Sequence, residues 1–121
     1  MPRAVLDEDH IHPDARERVA NYHRNTVQEV RDAIAANDIV VVGMRMNPWP
    51  KKARRLLDAA GLAYQYLEYG SYLGEWRKRL AIKMWTGWPT YPMVFVKGVL
   101  IGGAAELERF LKRKADASPP C

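Results

Sequence analysis

Four consecutive β-branched residues, Ile39-Val40-Val41-Val42, restrict the folds open to this chain more than any other stretch. β-Branched side chains favour extended backbone. The run has no polar alternation, so neither face of the strand meets water. It predicts a strand at the centre of a parallel or mixed sheet covered on both sides. The loop Asn47-Pro48-Trp49-Pro50 follows, and then a helical segment over residues 51–60 with Ala53, Leu56, Leu57 and Ala60 inward. Asn47 suits the N-cap, Pro48 the first helical position and Gly61 the C-terminal stop. A strand, a tight loop and a helix N-terminus form a place where α/β folds often put chemistry. Here the loop holds no Cys, Ser, His or carboxylate.

The elements around this unit complete a layered pattern. Residues 13–37 read as one long amphipathic helix, with Val19, Tyr22, Thr26, Val27, Val30 and Ile34 on one stripe, a start at Pro13-Asp14 and a stop at Asn37. Residues 62–68 alternate through Leu62, Tyr64 and Tyr66 and read as a second strand. A strand–helix–strand crossover makes this strand parallel to the first. Residues 73–85 read as a helix with Leu73, Trp76, Leu80 and Met84 on one face. Residues 93–96 and 99–101 are short strands joined by Lys97-Gly98, which predicts an antiparallel hairpin. A last helix is predicted over residues 104–114, with Leu107, Phe110 and Leu111 inward. The order helix, β-α-β-α-β-β-α predicts an α/β thioredoxin-like fold: a four-stranded mixed sheet flanked by helices, with an N-terminal helix. Residues 1–12 are expected to be a disordered tail, residues 13–114 the single domain and residues 115–121 a flexible tail.

Composition narrows the function classes. A 121-residue chain with 48% hydrophobic residues fits one domain with a modest core. No apolar run approaches the roughly 20 residues of a membrane span. The polar first residues carry no signal-peptide pattern, so a cytoplasmic location is the expectation. The single cysteine, Cys121, excludes an internal disulfide and a multi-cysteine metal cluster within one chain. It follows Ser118-Pro119-Pro120 and reads as a free thiol on a tail. His10 and His12 lack companions for a metal site, and His23 lies within the predicted first helix. The net charge of +5 gathers at 51–55, 77–79 and 109–114. These clusters read as solvated helix faces, with no nucleic-acid motif beside them.

Trp88-Pro89-Thr90-Tyr91-Pro92, then Val94-Phe95-Val96-Lys97-Gly98, then Ile101-Gly102-Gly103 resemble the glutaredoxins, and the monothiol class most. Lys51-Lys52-Ala53 with Leu56-Leu57 resembles the helix after the glutaredoxin active site. The resemblance covers residues 38–114. It implies that Asn47 stands at the position of the nucleophilic cysteine and Pro50 at the resolving position. An amide cannot perform thiol–disulfide exchange, which needs a thiolate. Loss of the same cysteine removes the ligand for an iron–sulfur cluster. The resemblance further implies a link to cell redox homeostasis and a groove for glutathione or a glutathione-like peptide. Asn47, Trp49, Tyr91, Pro92, Gly103, Ala104 and Ala105 would line it. Pro92 is expected to be cis, with glutathione pairing its backbone against Tyr91. The amides of Ala104 and Ala105 would take the γ-glutamyl carboxylate. Met44 stands near the position of the family's basic residue, with Arg45 adjacent.

Three functions remain open on these residues. One is a redox-inactive glutaredoxin-like protein that keeps the groove. Another is a glutathione-dependent enzyme using Tyr91, Tyr72 or Ser71 to activate the thiol of the ligand. The third is a protein-interaction scaffold without a small ligand, anchored by Trp49, Trp76, Trp85 and Trp88.

Overall fold

The structure, a computed structural model, describes residues 3–70 and 74–117. The central strand is β1 (Ile39–Gly43), and all five of its residues are buried. It pairs in parallel with β2 (Gln65–Glu68) and antiparallel with β3 (Met93–Val96), which pairs antiparallel with β4 (Val99–Gly102). The strand order is β2-β1-β3-β4. Lys97 and Gly98 form the two-residue hairpin turn, both at positive φ. This is the thioredoxin-like mixed sheet that the order of elements implied.

Among the described residues five α-helices cover the sheet: α1 (Pro13–Asn21), α2 (Arg24–Ala36), α3 (Pro48–Ala59), α4 (Trp76–Thr86) and α5 (Ala104–Ala117). Alternate residues of β1 point to opposite layers. Val40 and Val42 pack with Val30, Ile82, Met93 and Phe95 beneath α2 and α4. Ile39 and Val41 pack with Ala53, Leu57, Val94 and Leu107 beneath α3 and α5. Two small cores share one sheet, which is why the strand reads as uniformly apolar. No helix among the described residues is long and apolar enough to cross a membrane.

Several boundaries differ from the sequence reading, each for a local reason. The single helix expected over residues 13–37 is two helices. His23 lies in the left-handed region (φ 43°), and a right-handed helix cannot continue through that conformation. The segment before α1 carries a 3-10 turn at Glu8–His10, and His12 caps α1 by accepting the Asp14 N–H at 3.2 Å. The strand expected from residue 62 begins at Gln65. Gly61 (φ 70°) donates its N–H to Asp58 O and Leu62 donates to Leu57 O, each at 3.1 Å. This left-handed glycine cap spends the Leu62 amide on α3, so that amide cannot join the sheet.

The helix α4 starts at Trp76, and its buried residues are Arg79, Ala81 and Ile82. The stripe Trp76, Leu80 and Met84 faces outward instead. Residue 73, assigned to that stripe, lies outside the described residues. The helix α5 runs three residues beyond the expected residue 114, to Ala117.

Gly43 closes β1 at the point where α3 crosses it. A Cβ there would stand 2.8 Å from Pro50 Cβ and 2.9 Å from the Tyr66 ring, so only glycine admits this approach. That contact brings the start of α3 down onto the sheet.

Candidate functional site

Asn47 caps α3 as its residue type predicts: the side-chain carbonyl accepts the Trp49 N–H at 2.9 Å. Pro48, Trp49 and Pro50 are the first three helical residues. The two prolines have no N–H, and the one amide between them is taken by Asn47. This helix N-terminus therefore offers no free donor from its first turn to an anion or a thiolate. Pro50 is fully buried under Gly43, while Trp49 is 55% exposed with Lys52 Nζ 5.7 Å from its ring. Met44 is buried and Arg45 exposed; the Arg45 N–H donates to Gly70 O.

Beside this turn lies a groove of about 270 Å³. Trp49 forms one wall. Thr90, Tyr91 and Pro92 form the floor, and Gly103, Ala104 and Ala105 close it at the start of α5. The Tyr91–Pro92 peptide is cis, as expected from its place before β3. Three elements far apart in sequence thus converge: the α3 N-terminus, the turn before β3 and the α5 N-terminus. Six of the seven residues assigned to the groove line it together. The seventh, Asn47, serves as the cap behind Trp49.

Trp88, Thr90 and Glu106 also line the groove and were not identified from the sequence. Glu106 sits in the first turn of α5 and accepts the Gly103 N–H at 2.9 Å, with Arg109 donating to its second oxygen at 3.0 Å. The Gly103 hydrogen bond is the main cause holding the Glu106 carboxyl below its ordinary pKa. A glutamate three residues after a helix N-cap has capping-box spacing, and that signal was available at Gly103 and Glu106. One of the amides at this end of α5 is therefore already paired within the chain. Those of Ala104 and Ala105, in the first turn, have no helical carbonyl to bond. The Trp88 indole N–H is buried without a partner among the described residues.

Tyr91 lines the groove. Its hydroxyl donates to Arg79 O at 2.6 Å, and burial pushes its pKa above the ordinary tyrosine value. An engaged phenol held protonated is poorly suited to activating a thiol. Ser71 and Tyr72, the other two candidates for that role, lie outside the described residues, as does Cys121. Among the described residues no group of three or more His, Cys, Asp or Glu side chains is placed to hold a metal ion.

The sequence matches the glutaredoxin family model over residues 39–101. It is 52% identical over 85 residues to a glutaredoxin-like protein of Dictyostelium discoideum, covering 70% of this chain and 69% of the relative. It is 29% identical over 75 residues to a glutaredoxin of Ricinus communis, covering 62% of this chain and 74% of the relative. Among solved structures, a buckwheat glutaredoxin–glutathione complex superposes with a TM-score of 0.67 at 23% identity. That likeness covers 81% of this chain and 86% of the buckwheat chain and speaks for the fold. With the family model spanning more than half of its length and a relative of this similarity beside it, the chain belongs to the glutaredoxin family.

Proposed function

We propose that this chain is a redox-inactive glutaredoxin that keeps a groove for glutathione or a glutathione-like peptide, and acts by binding rather than by thiol–disulfide exchange. One observation carries the proposal: the groove is assembled while the turn beside it has no thiol. Trp49, cis-Pro92 and the α5 N-terminus surround a space for an extended peptide. By the family resemblance, Tyr91 would pair with the backbone of a bound peptide and the Ala104 and Ala105 amides would take its carboxylate. A relative in fold, the buckwheat protein, was solved with glutathione.

Against exchange chemistry stands the residue beside the groove. Asn47 aligns by family resemblance with the attacking cysteine, and its amide is spent as a helix cap. Neither Asn47 nor Pro50 forms a thiolate, which both exchange and cysteine ligation of an iron–sulfur cluster require. The one cysteine is residue 121.

Titrating the isotope-labelled chain with reduced glutathione tests the groove. Amide shifts are expected at Tyr91, Gly103 and Ala104. No shift at roughly 10 mM glutathione, an affinity weaker than about −3 kcal/mol, refutes the binding half of the proposal. Turnover of a small mixed disulfide by a Cys121→Ser variant refutes the redox half.

A further inference from the structure

We propose that the groove between α1–α2 and α4 is a docking site for an acidic amphipathic helix of another protein. The bend at His23 sets α1 against α2, and the side chains of Val19, Tyr22 and Val27 then meet Ala81, Met84 and Trp85 across a cleft of about 350 Å³. Val19 is 54% exposed and Met84 46%, a large apolar exposure for residues of two facing helices. The apolar surface continues up α4 through Leu80 and Trp76 at four-residue steps. A stripe of this kind, about two helical turns long, matches anchors at positions i, i+3 or i+4 and i+7 of a partner helix.

Charge selects the partner. Arg24 and Arg31 line the cleft, and no carboxylate residue among the described residues lines it. The sequence of α4 contains Arg77, Lys78, Arg79 and Lys83 and no acidic residue. Lys78 is paired with Glu75 and Arg79 is buried, whereas no ion pair among the described residues engages Arg24, Arg31, Arg77 or Lys83. Of the two carboxylates on α2, Asp32 accepts from Gln28 at 2.8 Å and Glu29 accepts from the Tyr69 hydroxyl on the far side. Arg77 and Lys83 stand over the rings of Trp76 and Tyr91, so the basic rim of the cleft itself is Arg24 and Arg31; an apolar floor with that rim is complementary to a helix carrying apolar anchors between glutamates or aspartates. A second copy would bring the same arginines against this rim at a net charge of +5 per chain. The apolar side chains line a cleft, which suits an inserted helix more than a flat bilayer. The site lies in the helical layer opposite α3 and α5, so its occupation leaves the cis-Pro92 groove open.

The test titrates the full isotope-labelled chain with a synthetic helix of about four turns, Leu at i, i+4 and i+7 positions and Glu elsewhere. A Lys-for-Glu version and phosphatidylserine vesicles are the comparisons. The acidic helix is expected to shift Val19, Ala20, Met84 and Trp85 and to weaken as salt screens the rim. Met84→Glu is expected to abolish the shifts. The double change Arg24→Glu with Arg31→Glu is expected to weaken binding at least about tenfold. These residues are solvent-facing, and unchanged thermal unfolding of each variant keeps the comparison fair. Absence of binding, equal binding of the Lys version, or binding of the vesicles but not the acidic helix overturns the proposal. A dimer in sedimentation that Met84→Glu dissolves assigns the face to a second copy and also overturns it.

Discussion

Asn47 and Arg79 show how much one polar side chain can decide. Asn47 was legible as an N-cap because its residue type and its place before Pro48 specify that role. Its substitution by alanine is expected to cost about 1 kcal/mol of stability, read as a lowered urea midpoint. Asn47→Cys in a Cys121→Ser background is expected to give a thiol whose pKa falls only modestly, because Pro48 and Pro50 supply no amide. Adding Pro50→Ala restores one donor and should lower the thiol pKa by a further half unit or so, read by thiolate absorbance against pH. Arg79 was not legible, since a basic run at 77–79 reads as solvated surface. The structure buries it and has it donate to Tyr69 O at 2.9 Å and to Gly74 O at 2.6 Å. Arg79→Met leaves those carbonyls without the donor and is expected to cost about 3 kcal/mol or more, measured by chemical denaturation.

Elements were legible where local chemistry and tertiary packing agree. The run at 39–42 predicted a doubly buried strand because two cores need it, and Gly61 stopped α3 because a left-handed cap needs glycine. Disagreement arose where packing overrode periodicity. The apolar spacing through Val19, Tyr22, Thr26 and Val30 crosses the break at His23 without a glycine or proline to mark it. On α4 the most hydrophobic stripe stays outside because the inner face is held by Arg79 and the small Ala81 beside Ile82. The candidate groove was half legible: Tyr91, Pro92, Gly103, Ala104 and Ala105 followed from the family resemblance of the motifs at 88–92 and 101–103, whereas Trp88 and Thr90 were read as motif without a place in the groove and Glu106 carried only a capping-box signal. The approach of α3 to β1 can be tested at Gly43. Gly43→Ala forces a Cβ into Pro50 and Tyr66, and overpacking of this kind is expected to cost about 1–3 kcal/mol in urea unfolding.

For the whole molecule, the tyrosines define the alkaline limit. Burial, with Glu29 accepting the hydroxyl hydrogen bond, raises the pKa of Tyr69. Burial raises that of Tyr91, and Tyr66 is pushed up to about 12 by burial and the charge of Glu68. In each case the folded state holds the proton more tightly than the unfolded chain. The stabilisation is complete below the ordinary value of 10 and is lost as pH rises through the raised values. Unfolding followed above pH 10 is expected to show stability falling by up to about 1.4 kcal/mol per pH unit for each of the buried Tyr69 and Tyr91, and by less for the partly exposed Tyr66, where solvent screens the charge. Tyr69→Phe should flatten that slope. At neutral pH the weakest point lies elsewhere. The helix α1 has no buried residue and meets α2 at a left-handed bend. An element with so little apolar anchorage opens at a small fraction of the global unfolding free energy. Its amide protons are expected to exchange with solvent orders of magnitude faster than those of β1. On this expectation the chain behaves as a protected sheet domain with a helical arm that opens and closes without unfolding the rest.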